Sequence, residues 1–390
     1  MKEIYLDNSA TTRISEKALE KYIEVSRLYF GNPSSLHALG VVAEGLLKEA
    51  RRSIARALGA TDGDILFTAS GSEANNLAIL GRAWAKERYR RGAKILTSAG
   101  EHSSVREPLK KLMEEGYRVV EIPTHGGEID LQVLENELKC GEVILVTMML
   151  VNNETGALYD LATVSAMMRK YQKDAVLHID ATQAFLKVPF SPKTLGADLV
   201  TVSSHKVEGP KGVGALYVSD FIRKTKGLSP VLYGGGQEGG FRPGTENVPG
   251  ICAFGEAVNL SRAEIGQRVR TMLALREQLI SMLQERTPEV RLTLPPKSAP
   301  HILNITLPSI KSETMLHFLS REGIYVSSGS ACSSNGAHRA SVALMAYGHS
   351  EKEADASLRI SFSHHNTEED IEAFVVALEK GISSLARFER

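Results

Sequence analysis

The sequence predicts an α/β protein: a large domain with a mostly parallel sheet flanked by helices, followed by a smaller α+β domain. From about residue 64, seven short apolar runs alternate with longer amphipathic stretches. Strands of four to eight residues separated by helices are typical of βαβ units. A glycine-rich segment at 232–250 then precedes a long helical pattern over about 251–287. Beyond that pattern the chain resumes strand, helix, strand, helix.

Each of the seven runs is short enough for one strand and apolar enough to be buried on both faces of a sheet. We expect the last two runs, which HKVEGPKG joins, to be neighbouring strands linked by a loop. In chain order the runs are DILFTAS, KILTSA, YRVVEIP, VILVTMMLVNNE, AVLHIDAT, ADLVTVSSHK and GVGALYVS.

The chain has 390 residues, which is long for one core and favours two domains. We expect a large cofactor-binding domain over residues 15–250 and a small C-terminal domain over 251–390. The N-terminal segment 1–14 would join them. The cofactor is assigned to the large domain because ligands in parallel sheets lie beyond the carboxyl ends of the strands.

The composition is that of an ordinary globular protein, with 46 Lys and Arg residues against 46 Asp and Glu residues. This balance argues against nucleic acid or an acidic membrane as the main partner. The first residues lack the apolar core of a signal peptide, and no run approaches the roughly 18 apolar residues of a membrane span. We therefore expect a cytoplasmic protein without direct nucleic-acid or membrane contacts.

The chain contains three cysteines, and their spacing matches no zinc site. In a reducing compartment Cys140, Cys252 and Cys332 are expected to carry thiols rather than disulfides. Cys140 and Cys252 are interpreted as small packing residues. Cys332 lies among small polar residues in VSSGSACSSNG, and on this stretch alone it is either an inert or a reactive thiol.

Lys206, in VTVSSHKVEGPKG, directly follows an apolar strand. The glycines do not form a phosphate-binding P-loop, since the spacing differs and no helix follows. One interpretation is that Lys206 forms an imine with an aldehyde cofactor, pyridoxal phosphate, in a shielded pocket to which His205 and Lys211 add positive charge. The alternative is a lysine on a surface turn.

Asp180 ends the very apolar strand AVLHID. A buried carboxylate is costly unless it is paired, and a pyridinium nitrogen would supply the partner. The carboxylate would keep that nitrogen protonated, so that the ring acts as an electron sink. The alternative is that Asp180 is the N-cap of the next helix.

Two further candidates follow strands of the same sheet. In FTASGSEANN, the backbone of Gly71 and Ser72 at a helix N-terminus can hold a phosphate, although Ser72 and Glu73 could equally be plain capping. In SAGEHSSV, His102 can stack on an aromatic cofactor or move protons, or be a structural residue. All four candidates fall at strand ends and are therefore expected at one edge of the sheet.

Ten motifs in a fixed order give the chain a specific resemblance. They are YLDNSATT, FGNPSSLH, SGSEANN, EHSSV, VNNETG, HIDATQ, SSHKVEGPKGVGALYV, YGGGQEGGFRPGTENV, SSGSACSS and LRISFSHHNTEEDI. The chain resembles the cysteine desulfurases of the NifS/IscS type, which are pyridoxal-phosphate enzymes of the class V aminotransferases. The resemblance runs from about residue 4 to 380 and implies an aspartate-aminotransferase-like fold.

The resemblance implies a role for each matching residue. Lys206 corresponds to the lysine that carries the cofactor, His102 to the catalytic histidine stacked on its ring, and Cys332 to the nucleophile that forms a persulfide. The remaining cofactor-binding positions are Gly71, Ser72, Ser203 and His205 at the phosphate, Asp180 at the ring nitrogen, and Gln183 and Asn153 near the ring hydroxyl.

The resemblance also implies a substrate and partners. Arg359 corresponds to the arginine that binds the carboxylate of L-cysteine, with Asn153 nearby, and the bidentate guanidinium suits that task. Thr245 corresponds to a threonine that reaches the neighbouring subunit's phosphate, which implies a homodimer. The sulfur would pass to an acceptor such as an iron–sulfur scaffold or toward tRNA thiolation. No permanent metal is implied, and Cys332 is at most a transient ligand of an iron–sulfur cluster.

Three stretches depart from the family pattern. Glu208 stands where an apolar, aromatic or small residue is expected, and HHNT at 364–367 replaces a glycine-containing stretch. SSNGAHRASVALMAYG, after Cys332, lacks the expected acidic or proline-bearing sequence. These departures bear on the sulfur acceptor. The alternatives within the family are selenocysteine lyase, cysteine sulfinate desulfinase and an ordinary aminotransferase; outside it, the alternative is a catalytically silent sulfur-transfer scaffold.

Overall fold

The computed structural model describes residues 3–85, 93–328 and 340–385. Its strands are β1 (Ile4–Tyr5), β2 (Ile65–Thr68), β3 (Lys94–Ser98), β4 (Arg118–Ile122), β5 (Thr124–His125), β6 (Glu128–Ile129), β7 (Val143–Met149), β8 (Val176–Asp180), β9 (Leu199–Ser203), β10 (Gly214–Val218), β11 (Arg291–Thr293), β12 (Ile302–Thr306), β13 (Ile324–Tyr325), β14 (Ser327–Ser328) and β15 (Ser357–Ser361). Its α-helices are α1 (Glu16–Leu28), α2 (Ala38–Leu58), α3 (Gly71–Ala85), α4 (Ser103–Glu114), α5 (Leu131–Lys139), α6 (Leu161–Tyr171), α7 (Pro192–Leu195), α8 (Asp220–Lys224), α9 (Val248–Arg286), α10 (Ser312–Arg321), α11 (Val342–Tyr347), α12 (Glu351–Asp355) and α13 (Glu368–Leu385). None of the helices within these ranges is both long and apolar enough to cross a membrane.

The seven predicted strands form one sheet in the order β2-β10-β9-β8-β7-β3-β4. Strands β4, β3, β7, β8 and β9 run parallel to their neighbours in this series. Strand β10 pairs antiparallel with both β9 and β2. The predictions of a mostly parallel seven-stranded sheet and of adjacent strands around HKVEGPKG are confirmed.

Both faces of the large sheet are buried, because successive side chains of a strand point to opposite faces. Val146 and Val200 enter a core that also contains apolar residues of α2 and the first part of α9. Leu145 and Leu199, one residue earlier in each strand, enter a core shared with α3 and α4. Every residue of β7, β8 and β9 is buried. Polar side chains therefore reach a surface only where these strands end.

A second, antiparallel sheet in the order β11-β12-β15-β14 packs with α10, α13 and the last part of α9. Helix α9 has 39 residues and contributes to both regions, with Phe254 in the first core and Leu279 in the second. The N-terminal segment also touches both: Ile4 lies in the second core, and Thr12 donates to the turn after β9. The predicted domain boundary after residue 250 falls in the first turn of α9, and the division itself stays a prediction.

Candidate active site

Polar residues gather where the strands of the large sheet end. Asp180 and Ser203 are the last residues of the neighbouring strands β8 and β9. His102 follows β3, and Lys206 ends the short 3₁₀ turn after β9. Asp180, Lys206 and Arg359 are all close enough to His102 to shift its pKa. The fold thus brings together residues from several separate motifs of the sequence at one sheet edge.

A chain of hydrogen bonds connects buried Asp180 to His102. Asn75 on α3 donates from Nδ2 to Asp180 Oδ2 and to Ser104 Oγ, both at 2.8 Å. Ser104 Oγ in turn lies 2.8 Å from His102 Nδ1. The second oxygen of Asp180 accepts from the backbone N–H of Thr182 at 2.9 Å. No helix begins at Asp180, so the N-cap alternative is wrong, and the carboxylate instead anchors this network.

His102 caps α4 while facing the candidate site. Its Nδ1 accepts from the backbone N–H of Ser104 at 3.1 Å. The pKa of His102 is lowered, mainly by burial. The charges of Lys206 and Arg359 lower this pKa further, and the charge of Asp180 opposes them. The imidazole is therefore neutral at pH 7, and with Nδ1 accepting, its proton resides on Nε2. The structural role of His102 as a helix cap is therefore confirmed, and its role toward a cofactor stays a prediction.

Gly71, Thr182 and Ser203 form a feature that we call the Gly71 cradle. A Cβ on Gly71 would lie 3.3 Å from both Ser203 Cβ and Thr182 Oγ1, so glycine keeps the first turn of α3 open to a close ligand. Ser203 Oγ is buried without a hydrogen-bond partner in the described part of the chain. This hydroxyl, next to the N-terminus of α3, can donate a hydrogen bond to an anion.

The helix cap of α3 involves Ser70 and Glu73 rather than Ser72. The backbone N–H of Glu73 donates to Ser70 Oγ at 3.1 Å, and the Glu73 carboxylate accepts from the backbone N–H of Ala69 at 3.0 Å. These two hydrogen bonds resemble a capping box, except that Glu73 accepts from the residue before Ser70. Ser72 lies exposed in the first turn, where the partial positive charge of the helix attracts an anion.

Lys206 is held beneath the N-terminal segment. Its Nζ donates to the carbonyls of Ser9 at 2.6 Å and Ala10 at 2.7 Å. Buried Gln183 donates from Nε2 to the same Ser9 carbonyl at 2.9 Å, and its Oε1 lies 3.3 Å from His301 Nε2. Lys206 is thus partly enclosed and oriented, which differs from a lysine on an open surface turn.

Two basic neighbours of Lys206 have lowered pKa values. Burial, together with Lys206 and Lys211, lowers the pKa of His205 to about 4, and its Nδ1 lies 3.2 Å from Thr11 Oγ1. Lys187 is buried, and burial followed by the charge of Lys206 lowers its pKa to about 7. The Nζ of Lys187 has no hydrogen-bond partner among residues that the structure describes. The surroundings of Lys206 therefore disfavour additional positive charge.

Arg359 extends from β15 of the second sheet to the edge of the first. Its Nη2 donates to Asp7 Oδ1 at 2.8 Å and its Nη1 to the carbonyl of Asn153 at 2.9 Å. Its Nε is buried, and no acceptor for it lies within the described ranges. The guanidinium is therefore fixed next to Asn153 with donor capacity left for a carboxylate.

Thr245 lies apart from this group. It is exposed and lines a cavity of about 250 Å³ together with Thr68, Gly212 and Val213. This position is beside the end of the edge strand β2 and the turn before β10, close to the chain that leads into the Gly71 cradle. Its predicted role toward a neighbouring subunit stays a prediction.

Cys332 lies outside the described residues. The chain on either side of it is placed: β14 ends at Ser328, which pairs with Leu358 next to Arg359, and Ser341 Oγ donates to the carboxylate of Glu154. The segment before Cys332 therefore pairs with the strand that carries Arg359, and the segment after it contacts the loop that carries Asn153.

The other two cysteines differ from each other. Cys252 is buried near the start of α9, and burial raises the pKa of its thiol to about 12, as expected for a packing residue. Cys140 is exposed at the C-terminal end of α5, so its interpretation as a packing residue is wrong. The helix stops there and Gly141 continues with a positive φ, which turns Cys140 outward.

Sequence reasoning missed three buried polar residues of the site. Asn75 was within the SGSEANN motif, one turn after Gly71, and this spacing is a usable signal. Glu101 precedes His102, and burial raises the pKa of its carboxyl to about 8 although Met149 N donates to it at 2.7 Å. Lys187, in QAFLK, carried no local signal because its burial results from tertiary packing.

Comparisons with known proteins agree with this geometry. A family model described as aminotransferase class-V matches residues 4–374. The chain is 35% identical over 382 residues to cysteine desulfurase IscS 1 of Archaeoglobus fulgidus, covering 98% of this chain and 97% of that protein. A solved structure named NifS-like protein aligns with a TM-score of 0.90 at 33% identity over 98% of this chain and 100% of its own. Another, named SspA in complex with cysteine, has a TM-score of 0.80 at 31% identity over 94% of this chain and 100% of its own.

Proposed function

The chain belongs to the aminotransferase class-V family as a cysteine desulfurase, and we propose that it uses pyridoxal phosphate to move sulfur from L-cysteine to Cys332. The carbon product would be L-alanine. The observation that carries the proposal is the buried, unpaired Ser203 Oγ in the Gly71 cradle, at the strand ends that also hold Asp180 and Lys206.

The described residues fit this cofactor. The Gly71 cradle offers backbone N–H groups and a hydroxyl to a phosphate, Asp180 offers a carboxylate to a protonated pyridine nitrogen, and Lys206 offers an amine to an aldehyde. When bound, pyridoxal phosphate supplies an electron sink for bonds broken at the substrate carbons. The proposed cofactor set is Gly71, Ser72, His102, Asn153, Asp180, Gln183, Ser203, His205 and Lys206.

Lys206 and His102 are the proposed groups for proton transfer. The carbonyls of Ser9 and Ala10 orient the Lys206 amine, which would take the α-proton of the substrate. His102 is neutral because burial lowers its pKa, and it would pass a proton between Nε2 and a thiol. The Asn75–Ser104 link keeps His102 and Asp180 in fixed relative positions.

Arg359 is the proposed anchor of the substrate carboxylate. Its unpaired Nε and its forked Nη groups match a carboxylate, and the Asn153 carbonyl and Asp7 hold the guanidinium in place. The same contacts would fix the substrate amino acid in one orientation. Asn153 is therefore proposed as both a substrate and a cofactor neighbour.

The sulfur step balances as a thiolate displacement. The Cys332 thiolate attacks the sulfur of cysteine, a new S–S bond forms, and the Cβ–S bond breaks with its electron pair remaining on the carbon fragment. Proton uptake turns that fragment into L-alanine, and Cys332 retains the persulfide. The chain segments flanking Cys332 start beside Arg359 and Glu154, which supports this assignment.

We further propose a homodimer in which Thr245 reaches the partner subunit's phosphate site. Large apolar side chains are exposed in the stretch around the end of α1 and in the glycine-rich segment before Thr245, where Phe30 is 73%, Leu36 98% and Tyr233 84% exposed. Exposed apolar groups in two such segments are typical of a protein interface.

The destination of the sulfur is proposed to be an acceptor protein, such as an iron–sulfur scaffold, in the reducing cytoplasm. The exposed Cys140 supports a reducing compartment, because an exposed thiol is readily oxidised elsewhere. The same setting preserves a persulfide until it meets its acceptor.

The function is tested by incubating the pyridoxal-phosphate-loaded protein with L-cysteine and a thiol reductant. Equal amounts of alanine and sulfide, formed without any keto acid, are expected. Alanine that appears only when a keto acid is added would instead establish an aminotransferase. Parallel reactions with selenocysteine and with cysteine sulfinate measure the related lyase and desulfinase activities. A kcat/KM for either substrate above that for L-cysteine would overturn the choice of L-cysteine as the substrate.

A further inference from the structure

Two of the departures from the family pattern meet in space. Glu208, two residues after Lys206, lies against His364 and His365, which follow β15 of the second sheet. Glu208 Oε1 is 3.3 Å from His364 Nδ1 and 3.4 Å from His365 Nε2. One ligand atom from each of the three residues lies within 4.8 Å of the others.

These distances suit a shared ion better than direct hydrogen bonds. Hydrogen bonds between an imidazole N–H and a carboxylate are usually about 2.7–3.2 Å long, and both distances here exceed that range. In a tetrahedral zinc site with bonds of about 2.0–2.1 Å, neighbouring ligand atoms are about 3.3–3.4 Å apart. One oxygen faces two imidazole nitrogens at that spacing.

The carboxylate of Glu208 is held so that Oε1 is directed to the histidines. Its other oxygen pairs with Arg268 Nη1 on α9 at 2.9 Å, and its backbone N–H donates to Thr12 Oγ1 at 2.8 Å. The backbone of Glu208 adopts φ 63°, a conformation unusual for a residue with a side chain. Such outer contacts orient a ligand before a metal arrives.

Charge and access are compatible with a cation. Arg268 also pairs with Glu264 at 3.0 Å, so its charge is shared between two carboxylates. The side chain of His364 is 20% exposed, and its Nδ1 faces the carboxylate oxygen of Glu208. The side chain of His365 is 67% exposed, which leaves an entry path and room for a water ligand.

We propose that Glu208, His364 and His365 bind a divalent transition-metal ion, with zinc the best match. Two imidazoles and one carboxylate favour zinc and similar ions over magnesium or calcium, which prefer oxygen ligands alone. A water molecule would take the fourth position, next to the exposed side chain of His365. The site connects the loop after Lys206 to the segment after Arg359, and it does not depend on the desulfurase reaction.

Zinc binding to the full chain tests this site. The protein, loaded with pyridoxal phosphate and treated with a chelator, carries Cys140→Ala and Cys332→Ala so that neither of these thiols competes for zinc. Zinc is titrated against a chromophoric chelator. One ion per chain is expected, and zinc X-ray absorption should show nitrogen and oxygen ligands with imidazole scattering.

Two variants and a control decide the ligands. Glu208→Gln keeps the side-chain size, and His365→Ala alters an exposed position, so both should fold, as circular dichroism can verify. Each is expected to weaken zinc binding by more than about 10-fold. His125→Ala removes an exposed histidine on β5 and should leave the affinity unchanged. Absence of zinc binding to the parent protein would overturn the proposal. Equal zinc affinity in the parent protein and all three variants would also overturn it.

Discussion

The two halves of the candidate site differ in how completely their polar groups are paired. In the Asp180–His102 network, the carboxylate and the imidazole have protein partners at 2.8–2.9 Å, and within the described ranges Asn75 Oδ1 is left without one. In the Gly71 cradle, Ser203 Oγ is buried with no partner in the portion of the chain described. An unmade hydrogen bond of a buried group costs about 1–3 kcal/mol. The first half is therefore organised before any ligand binds, whereas the second half is completed by one.

Because of this difference, substitutions in the two halves should affect different properties, namely the free energy of unfolding and the affinity for the cofactor. Substitutions in the paired network should affect the free energy of unfolding as well as catalysis, because they leave partners unsatisfied. Removal of the Ser203 hydroxyl from the Gly71 cradle should not destabilise the apoprotein but should lower its affinity for the cofactor. The following predictions are ordered by the expected size of the effect.

The largest effect is expected for Lys206→Ala, because the amine serves both the cofactor and the α-proton. Alanine formation from L-cysteine should fall by about 10⁴-fold, and the visible absorbance of the Schiff base should disappear. Lys193→Ala, on exposed α7, is the matched control and should keep wild-type rates. If the Lys206→Ala protein retained the visible absorbance band, the assignment of Lys206 as the lysine that binds the cofactor would be wrong.

Asp180 tests the paired network. Asp180→Asn keeps the size but removes the charge, so kcat should fall by about 10²–10³-fold while the free energy of unfolding drops by only about 1 kcal/mol. Asp180→Ala also leaves Asn75 and Thr182 unpaired and should destabilise the protein by about 1–3 kcal/mol. Steady-state kinetics and urea unfolding of the apoprotein measure the two effects. Full activity of Asp180→Asn would contradict the role of the charge.

Ser203→Ala tests the Gly71 cradle. Because Ser203 Oγ is buried without a hydrogen bond in the chain as described, its removal should not destabilise the apoprotein and should raise the free energy of unfolding by up to about 1–3 kcal/mol. The loss of one hydrogen bond to a phosphate should weaken pyridoxal-phosphate binding by about 10–100-fold. Fluorescence titration of the apoprotein gives the affinity. If Ser203→Ala were destabilised but bound the cofactor normally, the claim that the Gly71 cradle serves binding rather than stability would be wrong.

The strand that ends at Asp180 also makes the free energy of unfolding depend on pH. His178 is fully buried between Thr147 and Thr201, and burial lowers its pKa from 6.5 to about 4. The unfolded chain binds the proton between these values, so the free energy of unfolding falls as the pH drops through that window. His178 alone should account for a loss of about 1.6 kcal/mol between pH 6.5 and 5. Urea unfolding should show a smaller loss for His178→Asn, while exposed His125→Asn serves as the control.

Much of the fold follows from local sequence, since each apolar run becomes one strand of the large sheet and Asp180 and Ser203 end two of them. The role of Asn75 could not be assigned this way, because its partner Asp180 is 105 residues away. Burial of Lys187 likewise depends on packing between distant segments. Cys140 was misjudged because its exposure is set by a turn rather than by its hydrophobicity.

The departures Glu208 and His364 were visible in the sequence as isolated changes. Only the fold shows that they are neighbours, because β9 and β15 belong to different sheets. Substitutions that look unrelated in a sequence can therefore form one site when two sheets meet.

The central claim is that Cys332 receives the sulfur of cysteine. The most direct measurement is mass spectrometry of the protein after one turnover with sulfur-labelled L-cysteine, without reductant. The account predicts one labelled sulfur atom on the peptide that contains Cys332, formed together with one alanine per active site, and no such label in Cys332→Ala. Undiminished alanine formation by Cys332→Ala, or label on Cys140 instead, would contradict it.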